Sequence, residues 1–175
     1  MRKLSGLLVA ASLLVPAAYI AAQPAGAAGG LTCSGLSGTA TFTPPVPKTV
    51  PAKSNLTLVA TFSKCTGAPG VTTGQVKLPV YKGTTKQTCT SLATSKTPTV
   101  VPAGGTVAWN KGAKSTLGKV TITPVALATY KAVSKVTAGQ FVGKTVTETA
   151  TFKPNGCPIK SAALSLKPGT KVVIK

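Results

Sequence analysis

The segment NLTLVATFSKC, residues 55–65, sets terms that the rest of the chain follows: its apolar residues recur at every second position. Leu56, Leu58, Ala60 and Phe62 fall on one face, and Thr57, Thr61 and Ser63 on the other. A period of two marks a β-strand with one buried face, because successive side chains leave the pleat on opposite sides. The same beat groups Val107 with Trp109 in GTVAWNKG and Val120 with Ile122 in GKVTIT. ALSLKPGTKVVIK reads as two short strands around the turn signal Lys167-Pro168-Gly169. Pro/Gly clusters punctuate the strands at Pro44-Pro45, Gly67 to Gly70, Pro102 to Gly105 and Pro154-Asn155-Gly156. Helical spacing is nearly absent after the N-terminal region. About eight to ten strands at short spacing, without crossover helices, predict an antiparallel β-sandwich or barrel.

The N-terminus has a different grammar. Met1-Arg2-Lys3 precedes an apolar run from Leu7 to Ala22, and a small-residue stretch from Gln23 to Gly30 follows. This order predicts a secretory signal peptide over 1–27, cleaved after Ala27, with Ala28 or Ala22 as alternative sites. The apolar run spans sixteen residues, is broken by Pro16 and lacks a charged stop, which argues against a membrane anchor. Gly30-Leu31-Thr32 before Cys33 lacks a lipobox, so lipidation is not expected. Residues 28–175 are then expected to form one domain, with no linker long enough to divide it.

Four cysteines follow the leader, Cys33, Cys65, Cys89 and Cys157. An even number in an exported chain predicts two disulfides, with three connectivities to choose from. The favoured pairs are Cys33–Cys65 and Cys89–Cys157. A metal site is not expected, because no CxxC pair and no histidine is present.

With the leader and these cysteines in place, the stretches CSGLSGTATFTPP, CTSL, VAWNKGAKST and GQFVGKTVTETATF together resemble the small exported β-rich proteins of actinobacteria. That resemblance covers most of the chain after the leader and implies an Ig-like or related Greek-key β-sandwich, an exported location and no known activity. TATF occurs twice, at 39–42 and 149–152, and reads as shared strand grammar rather than duplication.

The charged residues restrict the chemistry. Glu148 is the only acidic side chain, against twenty basic residues, and the formal net charge is +19. Without His or Asp, paired-carboxylate hydrolysis and Ser-His-Asp or Cys-His constellations are closed. A Ser–Lys pair survives on paper, but nothing singles one out, so an enzyme is the third reading. By alternation Glu148 shares a face with Lys144, Val146, Ala150 and Phe152, which is the apolar side. An inward carboxylate needs a partner, and a structural ion pair between Glu148 and a lysine is expected. A rarer scheme would have Glu148 promote a Lys–Asn isopeptide bond using Asn55, Asn110 or Asn155.

Arg2 and Lys3 lie in the leader, leaving eighteen lysines and no arginine after it. A surface this basic keeps a protein in solution and draws it to polyanions. The first functional expectation is therefore a non-enzymatic exported module, cell-wall associated or extracellular. It would bind anionic envelope polymers or glycans through residues such as Lys82, Lys86, Lys111, Lys114 and Lys131. Peripheral membrane contact is the most that a chain without a basic amphipathic helix suggests. Sequence-specific nucleic-acid reading is not expected without arginine. The alternative is a soluble secreted effector (an inhibitor, toxin or small-ligand carrier) acting through loops such as Asn110–Ser115 or Lys82–Gln87. No cofactor is implied.

Overall fold

The computed structural model describes residues 29–175; the proposed leader, 1–27, lies outside the described residues. Ten β-strands and one short helix follow in order. They are β1 (Leu31–Val46), β2 (Asn55–Thr66), β3 (Gly74–Lys77), α1 (Cys89–Thr94), β4 (Thr99–Val101) and β5 (Gly105–Trp109). Then come β6 (Lys114–Ala126), β7 (Thr129–Gly139), β8 (Thr145–Pro154), β9 (Ile159–Leu166) and β10 (Val172–Ile174).

Eight of the strands form a closed antiparallel barrel. The order runs β1-β2-β3-β5-β6-β7-β8-β9, and β9 returns to pair with β1. The expected sandwich is therefore corrected to a barrel. The cause lies in β1, whose sixteen residues pair with β2 on one side and with β9 and β10 on the other. A sandwich keeps two sheets with edges, whereas a sheet whose first strand pairs with its last has none. The all-β character and the two disulfides are as expected.

The Lys167-Pro168-Gly169 turn does not fold its two strands into a hairpin. Instead β9 and β10 run end to end between β8 and β1, with residues 167–171 bulging out between them. Thr170 holds the bulge by donating its hydroxyl to the carbonyls of Lys167 and Thr149. The two TATF echoes land on β1 and β8, the strands flanking β9, and Phe42 meets Phe152 edge-on at 6.0 Å.

Both favoured disulfides form. Cys33 and Cys65 are direct cross-strand partners on β1 and β2. Cys89, the first residue of α1, is bonded to Cys157 in the β8–β9 turn. Closing loops of 32 and 68 residues, each contributes about 4 kcal/mol in the chain-entropy picture. Such bonds suit an oxidising compartment.

The strands alternate as their sequences predict, apolar inward and Thr, Ser or Lys outward. Inside, the packing is split. One cluster fills the end holding the β5–β6 and β7–β8 turns, with Trp109 packed against Phe62 and Phe141. Buried Trp109 donates its Nε1–H to Ser115 Oγ at 2.9 Å, and Ser115 donates to the Gln140 carbonyl. A second cluster of Ala40, Phe42, Val46, Phe152, Ile159 and Ala162 fills the opposite end.

Candidate ligand cavity

The barrel is hollow between these two clusters, with a cavity of about 300 Å³. The reason is in the inward residues that line it. Ala40, Ala60, Ala132 and Ala150, from four different strands, all face the cavity. Side chains this small cannot meet across an eight-stranded barrel, whose bore takes larger residues to fill. Leu36, Leu56, Leu58, Ile122 and Leu164 complete an aliphatic wall, and Phe42, Tyr81, Tyr130 and Phe152 add aromatic faces.

One part of the wall is not a ladder. The β3–β5 pairing ends at Lys77 and Thr106. Beyond that point the two chains part. Leu78 and Tyr81 hydrogen-bond back to β2, through Leu58 and Leu56, while β4 pairs with β6. Residues 82–98 cover the space between. This lid carries α1, whose Thr88 cap bonds Ser91 in both directions. It is fixed by a backbone bridge between Gln87 and Ala52, by Cys89 N–H to the Pro47 carbonyl, and by the disulfide to Cys157. Tyr130 also donates its hydroxyl to the Leu92 carbonyl at 3.3 Å. On either side of these anchors, Thr84, Thr85, Thr97 and Pro98 line the cavity yet are exposed, so they form its rim.

Glu148 is the charged group among the lining residues. Protein encloses it, and the surface it keeps faces the cavity. Its Oε2 is buried without a hydrogen-bond partner among the described residues. Burial pushes its carboxyl up to about 7 from the ordinary 4.5, because a carboxylate loses hydration there and gains no compensating charge. Burial also raises the Tyr130 phenol. Ser54 Oγ, another lining residue's polar atom, is likewise buried without a partner.

The ion pair expected at Glu148 is corrected by this arrangement. Alternation does place Glu148 inward, with Val146, Ala150 and Phe152. No lysine, however, lines the cavity: the lysines sit on outward or loop positions, where the ammonium keeps its water. The isopeptide scheme fails for the same reason, since neither Lys nor Asn is among the lining residues. Asn110 spends its amide elsewhere, accepting from the Thr72 and Thr73 N–H groups and donating to the Gly70 carbonyl.

The five lysines singled out from sequence do not come together. Lys82 and Lys86 are exposed on the lid, and Lys131 is exposed on the outer face of β7. Lys111 lies in the β5–β6 turn and Lys114 opens β6, at the far end of the barrel. Of the two candidate loops, Lys82–Gln87 contributes cavity residues and Asn110–Ser115 does not. Alternation places Ala60 and Ala150 on inward faces, but the void that they open with Ala40 and Ala132, and the part of Leu92 in lining it, do not follow from it. The readable signal is alanine recurring at inward positions of strands otherwise rich in large residues.

No protein-family model, curated protein or solved structure matches this chain.

Proposed function

We propose that the protein is a small-ligand binding protein, or carrier, that holds a compact and largely apolar molecule inside its barrel. The observation that carries this reading is the lined cavity between the two core clusters. Its volume of about 300 Å³ stands at the small end of ligand sites, which are mostly apolar with a few placed polar groups. Glu148, Ser54 and Tyr130 supply such groups here. The exposed Thr84–Thr85 and Thr97–Pro98 segments give the molecule a route in, and the anchors of the lid keep that route narrow.

The test is direct. An environment-sensitive apolar dye is titrated into the purified protein, and native mass spectrometry records any molecule that copurifies. Saturable one-to-one dye binding, or a bound mass released by denaturation, supports the reading. A protein that binds no apolar probe and carries no passenger overturns it.

A second reading, charge-held attachment to anionic polymers in an extracellular or cell-wall setting, is favoured by one observation. Lys48, Lys53, Lys82, Lys86, Lys96, Lys153 and Lys160 are all exposed at the end of the barrel that carries the lid. The two readings are compatible, since a carrier can be retained by its rim. Elution from an anionic polymer matrix by about 1 M salt, where charges are heavily screened, is the expected result. Retention unchanged by salt would dismiss it.

A further inference from the structure

We infer that the ligand is an organic amine: a small apolar body carrying one ammonium group that pairs with Glu148. This deepens the carrier reading above and rests on it.

The argument is one of unmet need. The chain has a single acidic side chain, and it stands on the wall of the cavity. Its Oε2 has no hydrogen-bond donor from the described protein. A buried carboxylate without a donor or counter-charge is costly, and a buried polar group left unsatisfied calls for a functional account. A partner from within would have been easy to supply, since eighteen lysines follow the leader. None of them lines the cavity. A cation that would hold Glu148 in its ionised form therefore has to arrive with the ligand.

The other polar groups agree with this. Tyr130 has already committed its hydroxyl proton to Leu92, so its oxygen can only accept, which suits a ligand rich in donors. An ammonium offers three donors and no acceptor, matching a site made of a carboxylate and an accepting phenol. A carboxylate ligand would set like charge against Glu148. An alcohol would supply one donor but leave the charge uncompensated. Ser54 and the rim threonines Thr84, Thr85 and Thr97 carry hydroxyls that can accept as well as donate. Most of the rest of the wall is aliphatic and aromatic, and aromatic faces also favour cations.

The basic surface does not oppose this pairing at equilibrium. Exposed lysines are hydrated, and their field is screened beyond about 8 Å at physiological salt. The enclosed Glu148 acts at contact. The surface charge should appear in kinetics instead, as amine association that speeds up when salt is added.

The experiment compares hexylamine, hexanol and hexanoate, three probes of equal chain length, by calorimetry or dye displacement at pH 8. The amine is expected to bind at least about tenfold tighter than the alcohol, a step of about 1.4 kcal/mol, with hexanoate weakest. Glu148→Gln keeps the shape and removes the charge, and should erase the amine's advantage while hexanol binding persists. Should that variant not fold, the wild-type protein supplies the same comparison at pH 5, where a protonated Glu148 should bind hexylamine no better than hexanol. If hexanol equals or beats hexylamine at pH 8, the amine assignment is overturned while the cavity reading stands. If neither probe nor dye binds, the carrier reading falls and takes this one with it.

Discussion

Ala132 and Glu148 stand directly opposite each other on β7 and β8, and the smallness of the one leaves open the space beside the carboxyl of the other. The pair joins one of the four alanines that open the cavity to its single acid. It also shows how to fill the cavity without touching the acid. Ala132→Leu should project an isobutyl group into the cavity and lower apolar dye affinity by about tenfold or more. Overpacking a filled core costs about 1–3 kcal/mol, but here empty space receives the new atoms. The melting temperature should therefore stay close to wild type, or rise. Dye titration alongside a thermal melt checks both halves, and unchanged affinity with unchanged stability would place the ligand elsewhere.

A second prediction uses the pH dependence of stability. Glu148 is held at about 7 in the fold, above its ordinary 4.5, so the folded state retains a proton that the unfolded chain has released. Where the folded state binds more protons, stability falls as pH rises. It should be greatest below about pH 4.5, decline across the window to about 7, and level off above it. The full loss is of order 3 kcal/mol at 1.36 kcal/mol per pH unit. Glu148→Gln cannot titrate, so its stability should be flat across that window and exceed wild type at pH 8. The chain has no His or Asp and its four cysteines are bonded, so few other groups blur the measurement. Denaturant melts at pH 4.5, 6 and 8 suffice. Matching slopes in the two proteins would contradict the buried carboxyl.

The lid offers a third. Replacing Cys89 and Cys157 together by serine removes the covalent tie of α1 to the β8–β9 turn while leaving Cys33–Cys65 intact. The expected stability loss is about 4 kcal/mol or less in the loop-entropy picture. The sharper readout is local opening. Lys82, Lys86 and Lys96 are exposed on the lid, and trypsin should cut there many times faster in the variant than in the wild type, before the barrel is attacked. Uniform cleavage across the chain would mean that the bond holds the whole fold and not the lid.

Much of the fold was legible in the sequence because strand alternation is a local property. Leu56, Leu58, Ala60 and Phe62 share a face by spacing alone, and the barrel puts them inside. The cysteine pairs were also within reach, since Cys33 and Cys65 end up as cross-strand neighbours on the first two strands. Closure was not legible. Whether Ser37 to Thr41 of β1 finds β9 beside it depends on sheet twist and strand number, not on any residue in the segment. The cavity escaped for a similar reason. Ala40, Ala60, Ala132 and Ala150 each look like an ordinary small core residue, and only their convergence on one cavity makes a void. Glu148 was singled out correctly as an inward acid, but charge balance suggested a lysine that hydration keeps outside.

The solitary acid has a practical consequence. Protein grown on glutamate with a labelled side-chain carboxyl would give one side-chain carboxyl resonance, already assigned without mutagenesis. Its position would report from inside the barrel whether the proton is on or off and whether a guest is present.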